Sequence, residues 1–380
     1  MLIMTPGPIA VDDRVIAAMQ RPVIPHYHPS FIQTMDDTMG MLKRIFGTSG
    51  DAIILPGSAR IGLEAGVCSV VERGDKTLHI VNGCFGKWVS EIAARAGAVP
   101  TVLESEWGGV LDLNRVEDAL KKAAYKLVTV VHSETSTGAV NPIREIGEII
   151  RRHSALYMVD AISSLGALPL AMDEMGIDLC ATGSQKALGS ITGLSVVGVA
   201  PRAFEVMRAR KQVCQSYALD LSRWPGMFLN KQSSRPYPVI PSTHLVYALQ
   251  TACRLLLEEG LPARLERHKR FAEATRRAVA AIGLELFPDR RMAGDSLTGV
   301  KPPSGLHDSR ITELMRDKHG VFIGGGLYDL KGKLFRISHM GVQASPLYLL
   351  PTLDALEKTL AELGHKFERG AALAAFGRHA

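Results

Sequence analysis

The sequence has few cysteines and no long apolar run, and both absences exclude classes of protein. Its 380 residues include five cysteines, an odd number without a CxxC pair, which argues against a disulfide framework and a zinc site. No run of about 18 apolar residues offers a membrane span, and no basic stretch followed by a sustained apolar one marks a secretory signal. We therefore expect a soluble protein of the reducing cytoplasm with no membrane partner.

Charge of one sign is not concentrated anywhere along the chain. The 44 Lys and Arg residues against 38 Asp and Glu give a net charge of +6, but the basic residues are spread out and not interleaved with aromatics. This disfavours nucleic acid as a partner and favours small anions. The chain is long enough for one large domain and a smaller one.

Short apolar runs alternate with amphipathic helical stretches between about residues 50 and 200. The runs are "AIIL", "TLHIV", "VPTVL", "KLVTVV", "ALYMV", "IDLCAT" and "LSVVGVA". This alternation is typical of an α/β fold with a mostly parallel, seven-stranded sheet that helices cover on both faces. Ligands of such sheets bind beyond the carboxyl ends of the strands, so the residues directly after the runs are the candidates for chemistry.

The region from Thr243 onwards predicts a smaller α+β domain. Two long helices broken at Gly260 come first, followed by "LELF", a loop-rich stretch, the helix "ITELMRDKHG", the strands "VFIGG" and "KLFRIS", and a helix from Leu347 to Leu363. We expect an N-terminal segment at 1–25, a large domain at 26–242 and a small domain at 243–380, with the N-terminal segment lying over both.

Lys186, in "GSQKALGS", follows one apolar run, and Asp160 ends another. A partly desolvated lysine has a lowered pKa and forms a Schiff base with a carbonyl compound, although the position taken alone favours an ordinary surface lysine. A carboxylate at a strand end can hold a protonated heteroaromatic nitrogen, or it can simply cap the following helix.

Four further stretches suit a planar, phosphorylated ligand. "LPGSARIGLEAG" joins the first strand to a helix, and its backbone N–H groups together with Ser58 can bind a phosphate. Ordinary turns between a strand and a helix have a similar sequence, so this stretch can also be such a turn. Phe85 can stack on a ring or belong to the core. The Thr135 hydroxyl can reach a phenolic oxygen. Arg336, in an apolar strand, requires a carboxylate from the protein or from a substrate.

The ordered set resembles the fold-type I pyridoxal phosphate enzymes of the class V aminotransferase family, specifically its alanine-glyoxylate, serine-glyoxylate and ureidoglycine-glyoxylate group. The resemblance extends over nearly the whole chain through "TPGPIAVDDRVIAAMQRPV", "GSARIGLEA", "VNGCFGKW", "SETSTGAVNP", "MVDAISSLG", "GSQKAL", "CRLLLEEGL" and "GKLFRISHMG". It implies pyridoxal 5′-phosphate as cofactor and transamination from alanine or serine to glyoxylate or pyruvate by a ping-pong mechanism.

The resemblance also implies residue roles. Lys186 would form the Schiff base, Asp160 would pair with the pyridine nitrogen, Phe85 would stack on the ring and Thr135 would bond near its phenolic oxygen. Arg336 would take the substrate carboxylate. The phosphate group would be held by Ser58, Ala59, Arg60, Gln185 and Tyr237, the last lent by the other subunit of a homodimer. We expect His26, Tyr27 and His28 to approach the substrate pocket, and His339 is a further candidate for reading the donor.

Departures from the family pattern bear on the substrate. Ile240 stands where members often have a threonine that donates to the phosphate. The ureidoglycine enzymes have a glutamine in place of His26 and an Asn-His-His stretch at the lent tyrosine, so ureidoglycine is disfavoured. Pyridoxamine-pyruvate aminotransferase is a closer rival, but it has a glutamate in place of Ser58 and an arginine in place of Leu327. A lyase or cysteine desulfurase, with Cys214 as the mobile cysteine, and a binding module are the remaining alternatives.

Overall fold

The structure, a computed structural model, describes residues 1–228 and 237–379. In this part of the chain the strands are β1 (Leu2–Met4), β2 (Asp51–Pro56), β3 (Lys76–Val81), β4 (Val99–Glu104), β5 (Leu127–Val131), β6 (Ser133–Glu134), β7 (Ala139–Val140), β8 (Leu156–Asp160), β9 (Leu179–Gly183), β10 (Leu194–Val199), β11 (Leu297–Val300), β12 (Val321–Gly325) and β13 (Phe335–Ser338).

The helices of the same residues are α1 (Asp13–Ala17), α2 (Pro29–Phe46), α3 (Ala59–Val70), α4 (Cys84–Arg95), α5 (Leu113–Lys122), α6 (Ile143–Ile150), α7 (Met172–Met175), α8 (Pro201–Arg208), α9 (Arg223–Phe228), α10 (Thr243–Glu259), α11 (Leu261–Ala281), α12 (Asp308–His319), α13 (Pro346–Glu362) and α14 (Ala371–Gly377). Short 3₁₀ helices lie at Ala18–Gln20, Arg290–Met292, Tyr328–Leu330 and Gly341–Gln343.

The large sheet confirms the predicted α/β fold. Its seven strands lie in the order β2-β10-β9-β8-β5-β3-β4, and each contains one of the apolar runs seen in the sequence. Strands β9, β8, β5, β3 and β4 are parallel to one another, whereas β10 runs antiparallel to both of its neighbours. Because β10 is reversed between them, β2 and β9 point the same way. The carboxyl ends of six strands therefore meet at one edge.

A second sheet has the order β1-β12-β13-β11. Its first strand comes from the N-terminus, where Leu2–Met4 pairs in parallel with 321–323. Helices α10 and α11 separate at Gly260, as expected. The stretch expected to be rich in loops contains a strand, β11, because 297–300 pairs with β13.

Two large apolar clusters stabilise the part of the chain that the structure describes. The larger surrounds the seven-stranded sheet, and the smaller packs α11, α13 and α14 against the four-stranded sheet around residues such as Phe335 and Leu353. Met4 belongs to the smaller cluster, and Val15 packs against α10. The N-terminal segment thus contacts both parts. In the described part of the chain no helix has both the length and the apolar character needed to cross a membrane.

Candidate active site

One cavity lies at the carboxyl edge of the large sheet. It encloses about 360 Å³, and it is lined by Ser58, Ala59, Arg60, Leu63, Phe85, Trp88, Val131, Ser133, Thr135, Asp160, Ile162, Ser163, Gln185 and Lys186. Each lining residue follows or ends a strand of the sheet, or lies on the first turns of a helix that starts there. Eight of the residues singled out in the sequence therefore meet in one place: Ser58, Ala59, Arg60, Phe85, Thr135, Asp160, Gln185 and Lys186.

A larger groove of about 1070 Å³ lies between α1, α11 and α13, but its chemistry differs. Its charged residues largely pair with one another. Glu259 accepts from both Arg264 and Arg267, and Arg14 pairs with Asp12. Size alone therefore does not identify the site, and the smaller cavity holds the reactive groups.

Lys186 is half-buried at this cavity, and its Nζ donates to the carbonyl oxygen of Pro6. Burial lowers the pKa of the amine to about 8, and the positive charge of Arg336 acts in the same direction, whereas Asp160 opposes it. Gly7 packs against the side chain so closely that a Cβ there would lie 2.4 Å from Lys186 Cε. An amine with this pKa is partly unprotonated near neutral pH, so it can serve as a nucleophile or a base.

Asp160 is buried at the end of β8. One carboxylate oxygen accepts the N–H of Ile162 at 2.9 Å, which is the local cap expected of an ordinary aspartate at this position. Burial raises the pKa of the carboxyl to about 7, and the charge of Glu134 adds to this, while Lys186 opposes it. A buried carboxylate of this kind is stabilised by a cationic partner, so the position suits a protonated ring nitrogen.

The start of α3 provides an anion-binding corner. Ser58 occupies the N-cap position but its side chain makes no capping bond, so the first-turn N–H groups do not receive the partner that a capping hydroxyl supplies. Gln185 lies against the same corner, since a Cβ on Gly183 would meet Ala59 Cβ at 2.5 Å and Gln185 Oε1 at 2.8 Å. That buried amide oxygen has no hydrogen-bond partner within the described residues. The corner therefore has both free backbone donors and an unpartnered amide.

The aromatic wall of the cavity starts at Phe85, on the first turn of α4. Its ring meets the ring of Trp88 edge to face, with 4.9 Å between the centroids. Arg60 lies over the face of Trp88 at 3.9 Å, and the Tyr328 ring packs against Trp88 at 5.7 Å. Phe85 is thus held by a neighbouring ring, as a residue that stacks on a planar ligand must be.

Arg336 lies beside the cavity, on β13, and it is buried. Its guanidinium donates to the Gly325 carbonyl through Nε at 3.0 Å and Nη2 at 2.5 Å, and to the Thr135 carbonyl through Nη1 at 2.9 Å. Carbonyls use only three of its five N–H groups and leave its charge uncompensated. Burial lowers its pKa to about 10. In the described residues no carboxylate lies within 4.0 Å of it, so the protein partner considered in the sequence analysis is not found.

The sequence analysis assigned no role to Trp88, Ser163 or Glu134, although Glu134 lies in the stretch 132–135 that directly follows an apolar run. Trp88 lies one helical turn beyond Phe85, so the spacing of the two residues predicts that they share one face of α4. Ser163 follows Asp160 closely. Glu134 does not line the cavity, but its carboxylate is buried beneath Phe85 and accepts the Phe85 N–H at 3.1 Å.

Tyr237, His26 and Tyr27 are not brought to the cavity of their own chain. Tyr237 is buried, with ring centroids 6.4 Å from His26 and 6.5 Å from Phe31. Burial and the charge of Asp36 raise the pKa of its hydroxyl. His26 contacts Tyr27 edge to face at 5.2 Å. These rings form a cluster of their own, and Ile240, three positions after Tyr237 in the chain, is exposed.

Other residues considered in the sequence also lie outside the cavity. His28 caps α2 by accepting the Ser30 N–H. His339 is buried, its two ring nitrogens contacting Thr298 Oγ1 and the Asp295 carbonyl, and burial lowers its pKa to about 3. Leu327 precedes the short 3₁₀ helix at 328–330. The thiol of Cys214 contacts the Cys68 carbonyl at 3.4 Å. All five cysteines are free.

Comparison with known proteins gives a consistent result. The family model "Aminotransferase class-V" matches residues 18–327. The crystal structure of ureidoglycine-glyoxylate aminotransferase from Bacillus subtilis superposes with a TM-score of 0.95 at 36% identity, covering 99% of this chain and 97% of that one.

Two further solved structures are similar over almost their whole length. Pyridoxamine-pyruvate aminotransferase from Mesorhizobium loti has a TM-score of 0.93 at 30% identity, covering 100% of this chain and 98% of that one. Alanine-glyoxylate aminotransferase from Nostoc sp. has a TM-score of 0.90 at 32% identity, covering 94% and 95%.

Proposed function

The chain belongs to the class V aminotransferase family, and on that premise we propose that it transfers the amino group of a small L-amino acid, alanine or serine, to glyoxylate or pyruvate by a ping-pong mechanism. It is a pyridoxal phosphate-dependent aminotransferase of fold type I. The observation that carries the proposal is the cavity in which the Lys186 amine, the Asp160 carboxylate and the Phe85 ring meet.

The residues present fit pyridoxal phosphate. The anion-binding corner at Ser58, Ala59 and Arg60 matches a phosphate, and the unpartnered Gln185 amide provides a donor there when its oxygen and nitrogen are exchanged. The buried Asp160 matches a ring nitrogen. The half-open Phe85 face matches the ring itself. When bound, the cofactor supplies an aldehyde and a ring that stabilises negative charge on the substrate Cα.

Lys186 has two tasks in the proposed mechanism. Its amine would hold the cofactor through the aldehyde carbon, which accounts for the place of Lys186 at the cavity. As a free amine, Lys186 would remove the proton from the substrate Cα and later return it. Its lowered pKa of about 8 suits both tasks because about a tenth of the amine is unprotonated at pH 7, far more than for an ordinary lysine. Asp160 keeps the ring nitrogen protonated, and Thr135 donates its hydroxyl to the phenolic oxygen.

Arg336 is proposed to hold the substrate carboxylate. Its backbone contacts fix the plane of the guanidinium through Gly325 and Thr135 while leaving N–H groups and the full charge for an anion. A planar guanidinium held in this way binds a carboxylate through two hydrogen bonds and thereby orients the substrate Cα–H bond.

The proposed homodimer is supported by the aromatic cluster outside the cavity. Tyr237 is expected to reach the phosphate of the other subunit, and His26 and Tyr27 to approach its substrate. Tyr27 is 49% exposed, Val23 81% and Ile240 69% in the single chain, an apolar surface that a partner subunit would cover. We further propose a cytoplasmic location, which suits five unpaired cysteines.

The alternatives have less support. Pyridoxamine as the amino donor is the second candidate, since a similar solved structure is of an enzyme so named. Ser58 and Gln185 favour the phosphorylated cofactor over it. A desulfurase needs a cysteine that reaches the substrate, and Cys214 packs against Cys68 instead. Ureidoglycine remains disfavoured because the His26 position lacks the glutamine of those enzymes.

The test is a single-turnover absorbance titration of the cofactor-loaded protein with alanine, serine and pyridoxamine separately. We expect alanine or serine to convert the bound cofactor to its amine form and glyoxylate to reverse this. The Lys186→Ala variant should bind the cofactor without turnover. Reaction with pyridoxamine and pyruvate but not with the amino acids would overturn the proposed donors.

A further inference from the structure

Helix α4, which carries Phe85, lacks a cap of its own. Its N-cap residue is Gly83, which has no side chain to accept the first-turn N–H groups. The acceptors come instead from strand β6 and the turn that follows it. Glu134 Oε2 accepts from Phe85 at 3.1 Å and from Gly86 at 3.2 Å. Ser136 Oγ accepts from Cys84 at 3.2 Å.

Glu134 itself is fully buried, and every contact it makes is with a donor. Besides the two α4 N–H groups, its Oε1 accepts from the N–H of Ser136 at 3.2 Å and from the Ser136 hydroxyl. Burial raises the pKa of this carboxyl, whereas the hydrogen bonds from Ser136, Gly86 and Phe85 oppose that rise. Because the N-terminus of a helix also favours a negative charge, the carboxylate form fits this place. Glu134 packs so closely against Gly83 that a Cβ on residue 83 would lie 2.3 Å from Glu134 Cγ. The glycine and the glutamate are therefore complementary.

The same carboxylate joins several parts of the active site. On one side it fixes the backbone of Phe85, and on the other it holds the turn that starts at Thr135. The Thr135 carbonyl in turn accepts from Arg336. The ring face, the hydroxyl and the guanidinium thus depend on one buried side chain that does not line the cavity.

We propose that Glu134 is a positioning residue that sets the orientation of the Phe85 ring and the Thr135 hydroxyl against the cofactor. The inference rests on the proposed function, which gives those two residues their roles. It requires no contact between Glu134 and the substrate or the cofactor.

The Glu134→Gln variant tests this with little change of shape. A glutamine has one acceptor oxygen, so its NH₂ group must face either the α4 N–H groups or the Ser136 donors. The NH₂ group then faces an N–H donor of α4 or of Ser136, and the first turn of α4 has to shift to separate the two donors. We expect the Kd of the apoprotein for pyridoxal phosphate to rise about tenfold and the circular dichroism band of the bound cofactor to change in intensity.

The chain offers a matched control in Glu357. This buried carboxylate also caps a helix start, accepting from Gly370 and Ala372 at 2.7 Å each, but in the small apolar cluster. Glu357→Gln should lower the melting temperature as Glu134→Gln does while leaving the cofactor Kd and the dichroism band at wild-type values.

A double-mutant cycle separates positioning from general loosening. If Glu134 acts through Phe85, then Glu134→Gln adds little to the rise in Kd already caused by Phe85→Leu. Fully additive effects, or a Glu134→Gln variant with wild-type Kd and dichroism, would overturn the proposal. Should Glu134→Gln fail to fold, Ser136→Ala takes its place, and wild-type values in that variant would overturn it equally. These readouts need no amino donor, so they are independent of whether the proposed substrates are right.

Discussion

The amine of Lys186 should titrate near pH 8, and this can be measured directly. An ordinary lysine has a pKa of 10.5, whereas burial and Arg336 lower that of Lys186 to about 8. The difference raises the unprotonated fraction at neutral pH roughly 300-fold, because each pH unit is a factor of ten. Only the unprotonated amine attacks an aldehyde, so the rate of cofactor capture should follow this titration.

The assay mixes apoprotein with excess pyridoxal phosphate between pH 6 and 10 and follows the absorbance of the covalently bound form. The reaction of pyridoxal phosphate with a free lysine derivative whose α-amine is blocked gives the pH dependence of the aldehyde itself. The rate constant of the protein is divided by this control rate constant at each pH. We expect the corrected rate constant to rise with pH and to level off above an inflection near 8. Lys186→Ala should show no covalent phase.

Arg336→Met provides the second arm of this test. Removing the positive neighbour leaves burial as the lowering cause, so the inflection should move to higher pH. Arg291, exposed and paired with Asp289, supplies the control, and Arg291→Met should leave the inflection in place. A wild-type inflection near 10 would refute the reasoning, because the burial of Lys186 would then have no effect on its amine.

Two other predictions concern the ring nitrogen and the small apolar cluster. Asp160→Asn should lower kcat by about 10²–10³-fold while the cofactor remains bound, because it removes the charge that holds the protonated nitrogen; single-turnover kinetics measure this, and a kcat close to wild type would contradict the assignment. Leu353→Ala should lower the free energy of unfolding by about 2–5 kcal/mol without changing the cofactor Kd, as urea denaturation and titration can show.

The strands of the large sheet could be predicted because each is a short apolar run between helical stretches. The order of the strands could not be predicted, because the sequence of a buried strand does not indicate which strands lie beside it. The antiparallel direction of β10 likewise has no signal in its sequence. Strand β1 has three residues and finds its partner more than 300 positions away. Strand β11 lies in a stretch whose composition indicates loops.

The site was predictable where a residue ends a strand. Lys186, Asp160 and Thr135 follow apolar runs, and such residues meet at one edge of a parallel sheet. Glu134 stands in the same stretch as Thr135, but its role could not be assigned from the sequence, because that role depends on a glycine 51 positions earlier that cannot cap its own helix. The carbonyl partners of Arg336 leave no signal in the sequence, since any residue provides a carbonyl.

The pairing of β1 with β12 has a consequence for the order in which the protein is made. Residues 2–4 leave the ribosome more than 300 residues before their partners at 321–323. A contact of such long range forms late and slowly, so β1 stays unpaired until β12 has been synthesised. Gly7 lies close to β1 in the chain, so its packing against Lys186 is expected to form equally late. The nascent enzyme is therefore expected to acquire its cofactor only after residues 321–323 have been synthesised.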